Sequence, residues 1–180
     1  MDIRQADSTD LQLCAAVSPT IQSTHVWQLR LAYDPVVGQS SEELGATLHR
    51  TRLPRQIVIN TASAEPLQAL WSRAADVLVA ADEDQIGGYL VLTFEHSAPI
   101  VTVARLVVAP AFRRTGVGGK LIRSAMQWSR AMGFDMLAGH CATRNDPAAN
   151  FYMRHGFKFA GYSEVFYPRG EIALLWQRAV

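Results

Sequence analysis

"PAFRRTGVGGKL", residues 110–121, decides how the rest of the chain is read. It sets two arginines, a threonine and three glycines between an apolar run, "IVTVARLVV" at 100–108, and a segment of helical periodicity. A glycine-rich turn leading from a strand into a helix is a natural anion site, because the first N–H groups of a helix have no internal partner and point outward. Two nucleotide-binding loops of this kind fail on spacing. The P-loop needs glycine, four residues, then Gly-Lys-Ser/Thr; Gly119 and Lys120 fit, but Arg114 stands at the leading position and Leu121 at the closing one. A dinucleotide fingerprint starting at Gly116 and Gly118 needs a further glycine where Leu121 stands. The loop calls for a different anionic guest.

Downstream, the periodicity predicts a helix over 116–132, with Val117, Leu121, Ala125, Trp128 and Met132 on one stripe, Ile122 and Met126 beside it, and Gly133 ending it. "FDMLAGHCA" at 134–142 returns as a strand, and a strand, helix, strand succession of this length favours parallel pairing through a right-handed crossover. "NDPAANFYMRHGF" at 145–157 reads as a short helix with Asp146 as N-cap, Pro147 at the first helical position and Gly156 after its end. "KFAGYSEVFY" and "EIALLWQR" close the chain as a hairpin around "PRG", where Tyr162, Glu164 and Tyr167 are expected on the solvent face.

Upstream, "DVLVAA" at 76–81 and "IGGYLVLTFE" at 86–95 join the 100–108 run through short links, which implies antiparallel hairpins. "IRQA" at 3–6 reads as a strand, and "DSTDLQLCAAV" at 7–17 as a helix capped by Asp7 or Ser8 with Leu11, Cys14 and Ala15 at helical spacing. Residues 18–75 are least readable: "HVWQLRLAY" looks extended, Ser40 and Glu43 offer a capping box, and Ser63 opens a helix. The four tryptophans, Trp27, Trp71, Trp128 and Trp176, are assigned to packing.

A length of 180 residues suits one domain over 1–180, and 49% hydrophobic residues exclude a disordered or coiled-coil chain. A formal net charge of +1 gives no global electrostatic case for nucleic acid or an anionic membrane. The opening "MDIRQADSTD" has no apolar leader region and no later stretch approaches a membrane span, so a cytoplasmic protein is expected. Cys14 and Cys141 lack metal-ligand spacing and read as buried small apolar residues, and no metal is expected. His140 beside Cys141 suggests a ligand pair or a nucleophile, but adjacent strand residues point to opposite faces.

"LVVAPAFRRTGVGGKLI" resembles the cofactor motif of the GNAT superfamily of N-acetyltransferases, a strand ending in V-x-P before R/Q-x-x-G-x-G/A and a helix, with Arg113, Gly116 and Gly118 at its defining positions. "NDPAANFYMRHGF" resembles the second family motif through Asn145, Ala148, Tyr152, Gly156 and Phe157. Together the motifs cover residues 77–176, and "IRQADSTDLQ" resembles the usual opening of the superfamily. The resemblance implies an α/β (α+β) fold: a mixed, mostly antiparallel sheet with a parallel pair splayed around the cofactor, flanked by helices. Residues 18–75 run longer than the family's two-helix segment and are expected on the acceptor side.

The resemblance further implies that acetyl-CoA is the co-substrate. Its diphosphate would lie on the amides of Arg113, Arg114, Thr115, Gly116, Val117, Gly118 and Gly119, with Asn145 and Ala148 nearby, and its pantetheine arm beside Leu106, Val107 and Val108. The implied reaction is direct attack of a primary amine, of a small molecule or peptide, on the thioester in a ternary complex, with Tyr152 as general acid toward the thiolate. An amine of pKa about 10.4 costs roughly 4 to 5 kcal/mol to neutralise at pH 7, against about 2 kcal/mol for a thiol of pKa about 8.5 to leave as thiolate, so the amine proton is the larger problem. Several family members carry a glutamate eleven positions before the cofactor motif; here Thr102 stands there, leaving Glu95, His96, His140 and Glu164 as candidate bases. The alternative function is a non-catalytic acyl-CoA-binding sensor or assembly module. Members of the superfamily often pair into homodimers, and the sequence leaves that option open.

Overall fold

The computed structural model describes residues 1–34, 43–61, 65–82, 85–94 and 98–180. Near-continuous apolar runs between 76 and 108 build three strands covered on both faces, β4 (Asp76–Asp82), β5 (Gln85–Phe94) and β6 (Ile100–Val108), after β1 (Asp2–Gln5), β2 (Thr20–Asp34) and β3 (Glu43–Asn60). The chain continues through β7 (Met136–Ala142), β8 (Lys158–Ser163) and β9 (Ala173–Ala179). Seven strands form one sheet in the order β1-β4-β5-β6-β7-β9-β8. Every pairing in it is antiparallel except β6 with β7, which is parallel as the crossover reading requires.

Alternation sends side chains to two cores. On one face Leu78, Leu90, Leu92, Val101 and Val103 pack under α3 (Val117–Ala131) and α4 (Asp146–Arg154). On the other, Val77, Val79, Tyr89 and Val91 pack with Cys14 of α1 (Asp10–Ala16) and Leu70 of α2 (Leu67–Ser72). Helix α3 buries Val117, Leu121, Ile122, Ala125 and Met126 as its pattern predicts. Buried Ser129 satisfies its hydroxyl on the Ala125 carbonyl at 2.8 Å. Met132 departs from the stripe: the helix ends at Ala131, Gly133 turns the chain at φ +79°, and Met132 is 60% exposed. In α1, Ala15 is exposed and Thr9 takes the N-cap position, because the Asp7 carboxylate accepts the Thr9 N–H at 2.8 Å and forms the turn before the helix.

Residues 20–60 hold the largest departure from expectation. Strands β2 and β3, 15 and 18 residues long, pair as an antiparallel ribbon forming a separate two-stranded sheet. "HVWQLRLAY" is extended as predicted, whereas Glu43 begins β3 in place of sitting in a capping box; Ser40 lies outside the described residues. The ladder slips between Ser23 and His25, opposite the stretch holding Pro54, which has no N–H to give. Helix α2 begins after Pro66, and Ser63 lies outside the described residues.

An isolated two-stranded ribbon is marginal in water; this one is fastened to the main sheet. Trp27 and Arg50 are ladder partners, so their side chains stand side by side. Arg50 grips Asp146 with Nε at 2.7 Å and Nη2 at 2.8 Å, and Trp27 Nε1 donates to the same carboxylate at 3.1 Å. The Trp27 backbone N–H donates to the Thr143 carbonyl at 2.9 Å. No described helix is long and apolar enough to cross a membrane.

Candidate active site

The parallel ladder between β6 and β7 stops at the pair Val103 and Gly139, and beyond it the two strands part. The cause lies in β6. Against β5, Val91 faces Arg105 while Leu92 faces Val103, so Ala104 is an extra residue, a β-bulge. The slip exchanges faces: Val101 and Val103 belong to the core under α3, but Val107 belongs to the opposite core. Leu106, Val107 and Val108 pair with Leu90, Tyr89 and Gly88 along one edge, and their other edge looks into the splay.

A cleft of about 1440 Å³ runs from this splay to the start of α3. Lining it are Leu106, Val107, Val108, Arg113, Arg114, Gly116, Gly118, Gly119, Asn145, Ala148 and Tyr152, eleven of the thirteen residues expected at the site. Thr115 and Val117 lie outside the lining: the Thr115 hydroxyl donates to the Phe112 carbonyl at 2.7 Å, and the Val117 side chain is in the core.

The loop before α3 is shaped by positive φ at Arg114 (+67°) and Gly116 (+94°), the latter serving as N-cap. The first helical hydrogen bond runs from Lys120 N to Gly116 O, so the N–H groups of Val117, Gly118 and Gly119 precede the ladder and are presented at the helix end. A Cβ on Gly118 would stand 3.1 Å from the Phe151 ring, and one on Gly119 2.9 Å from the His155 ring, so glycine lets α4 close on this turn. Arg113 folds back, its Nε donating to the Val108 carbonyl at 3.0 Å and its Nη2 to the Ser18 carbonyl at 3.3 Å, and burial lowers its pKa.

Helix α4 is capped by Asn145, whose Oδ1 accepts the Ala148 N–H at 3.1 Å, in place of the expected Asp146. Asp146 occupies the first helical position and turns its buried carboxylate to Arg50, which holds it below its ordinary pKa against the opposing effect of burial. Tyr152 is buried with its ring on Gly139, where a Cβ would meet ring atoms and hydroxyl at 2.6 Å. Burial drives its phenol well above the usual tyrosine pKa, partly offset by a hydrogen bond from the His140 backbone. The hydroxyl therefore stays protonated beside the splay.

Of the candidate bases, His140 lines the cleft, Glu164 is exposed outside it, and Glu95 and His96 lie outside the described residues. Burial pushes the His140 imidazole down to about 4, and its Nδ1 lies 2.7 Å from the Tyr167 hydroxyl. Tyr167 corrects its sequence reading: it turns inward from the β8–β9 connection and lines the cleft. Cys14 and Cys141 are buried, and burial pushes both thiols up to about 12, which excludes a thiolate nucleophile at neutral pH. Sequence reasoning also missed Arg50, distant from either motif, and a recess of about 540 Å³ adjoining the cleft. Arg123, Arg130, Arg154, Arg178 and His155 line this recess. His155 is held low by burial first, then by Arg123 and Arg178, which marks a concentration of positive charge. Spacing of Arg123 and Arg130 on α3 was the available signal.

Comparison with known proteins agrees with this geometry. The family model described as Acetyltransferase (GNAT) family matches residues 47–157. The chain belongs to the GNAT acetyltransferase family. Streptothricin acetyltransferase of Streptomyces lavendulae is 32% identical over 102 residues, covering 54% of this GNAT chain and 53% of the relative. The chain thus spans about half the length of the curated relative it matches. Among solved structures, nourseothricin acetyltransferase superposes with a TM-score of 0.80 at 21% identity, covering 99% of this chain and 97% of that one. A Bacillus anthracis protein solved in complex with acetyl coenzyme A gives 0.72 at 19% identity, covering 99% of each chain. At these identities the likeness establishes a shared fold.

Proposed function

We propose that this GNAT protein transfers the acetyl group of acetyl-CoA to a primary amine by direct attack in a ternary complex. The observation that carries the reading is the splay beyond Val103 and Gly139, with the Tyr152 hydroxyl on one side and the α3 amides at its end. The donor set fits the cofactor. Amides of Val117, Gly118 and Gly119 suit a diphosphate, the open edge of Leu106–Val108 suits the amides of a pantetheine arm, and the arginine-lined recess suits a further phosphate. Bound acetyl-CoA supplies the activated acyl group. The chain aligns it along β6, holds the Tyr152 proton where the thiolate departs, and brings the acceptor from the side of the β2–β3 ribbon, whose Ile21, Ile59 and Asn60 line the cleft.

The acceptor we propose to assay first is streptothricin, on the strength of the Streptomyces lavendulae relative. The test is thiol release from acetyl-CoA across a panel of streptothricin, small alkylamines and lysine peptides, with mass detection of the acetylated product. Turnover of at least one amine supports the reading. Tight CoA binding with no turnover of any of them would replace it with the non-catalytic module.

A further inference from the structure

Strand β7 aims two successive residues at the splay from opposite sides. Gly139 faces α4 and leaves room for the Tyr152 ring, while His140, the first residue past the last parallel rung, points to the other face by strand alternation. There its Nδ1 is 2.7 Å from the Tyr167 hydroxyl, and its ring lies 4.2 Å from that of Phe166, centroid to centroid. Both His140 and Tyr167 line the cleft. A hydrogen-bonded imidazole and phenol thus face the splay across from Tyr152, beside the space an attacking nitrogen would enter.

We propose that the His140–Tyr167 pair is the proton acceptor for the attacking amine, a role that rests on the acetyltransfer reading. The amine lone pair forms the C–N bond, and the nitrogen then carries a proton it must lose. Tyr167 takes that proton while passing its own along the 2.7 Å hydrogen bond to Nδ1, leaving an imidazolium on His140. The C–S electron pair departs with sulfur, which takes the Tyr152 proton. The imidazolium then releases its proton to solvent and Tyr152 regains one, so one proton has left the amine, one has reached the thiol, and no other reactant is consumed.

The surroundings suit a relay better than either residue alone. Burial disfavours a Tyr167 phenolate, so that phenol accepts a proton only by handing its own onward. Burial leaves His140 neutral near pH 7 and opposes its imidazolium, so the proton rests there only in passing, and negative charge developing on sulfur offsets that opposition as it forms. Among the described residues, the other titratable groups near the pair are Tyr152 from α4, Cys141 from β7 and Glu171, whose carboxylate is paired with Arg144.

The test compares wild type, Tyr167→Phe and His140→Gln against acceptors of descending amine pKa, from alkylamines to hydrazines, with CoA affinity measured separately by calorimetry. The expected result is a fall in kcat/KM of about 10²-fold or more for alkylamines. The deficit shrinks for weakly basic acceptors, whose nitrogen sheds its proton unaided, and CoA affinity is unchanged. Tyr167→Phe keeps the ring packing, so it decides the matter if His140→Gln fails to fold. An undiminished rate in Tyr167→Phe, a loss equal for all acceptors, or a loss traced to weaker CoA binding would overturn the relay while leaving acetyl transfer standing. If wild type binds CoA but acetylates no amine, both readings fall together.

Discussion

Tyr152 and Gly139 form a unit, because the phenol reaches the splay only where β7 has no side chain. Tyr152→Phe keeps the ring on Gly139 and removes the proton, and should cut turnover by about 10²- to 10⁴-fold with CoA affinity unchanged by calorimetry. Gly139→Ala places a carbon 2.6 Å from that ring and should reduce turnover comparably by displacing an intact Tyr152. His140 gives a pH prediction. Its folded pKa of about 4 lies below the ordinary 6.5, so between these values the unfolded chain binds the extra proton and stability falls as pH drops. The loss is on the order of 3 kcal/mol. Urea unfolding from pH 7 to pH 4 should show this slope in wild type and a flatter one in His140→Gln. That Arg113, Gly116 and Tyr152 would lie together was legible because their motif spacing is local, and all three line the cleft, whereas Tyr167 was read as a solvent-face residue because its partner is 27 residues away.

At the scale of elements, α3 is the best-determined piece of the chain. Its stripe up to Trp128, N-cap glycine and closing glycine agree, and fully buried Leu121 sits at the centre of its core. Leu121→Ala should cost about 2 to 5 kcal/mol in denaturant unfolding. The ribbon is the opposite case. Its strands are held by pairing with each other, by the Trp27 backbone N–H on the Thr143 carbonyl and by one carboxylate on α4, reached by Trp27 and Arg50 across the ladder. Arg50→Ala should loosen the ribbon and raise the acceptor KM severalfold while leaving CoA affinity intact, as steady-state kinetics and calorimetry would show together. The capping-box reading at Glu43 gave way because cross-strand pairing over 14 rungs outweighs the preference of four residues.

Across the whole molecule, a net charge of +1 conceals a local excess of arginine around the recess between α3, α4 and β9. Charge-assisted bonds of about 1.5 to 3 kcal/mol imply that CoA should bind roughly 10- to 100-fold more tightly than dephospho-CoA, which lacks the ribose phosphate. That margin should narrow as salt is raised. Arg123→Ala with Arg154→Ala should erase most of the difference. The sequence by itself determined the three central strands, the two motif helices and the crossover between β6 and β7, because each is written as a short apolar run or in a 3.6-residue period and bounded by local glycine, proline or polar-turn signals. Only the tertiary structure decided the bulge at Ala104 that opens the splay, the ribbon fastened through Arg50 and Asp146, and the meeting of His140 with Tyr167. These depend on register and on contacts between residues far apart in the chain, and no short window of sequence carries the energy that sets them.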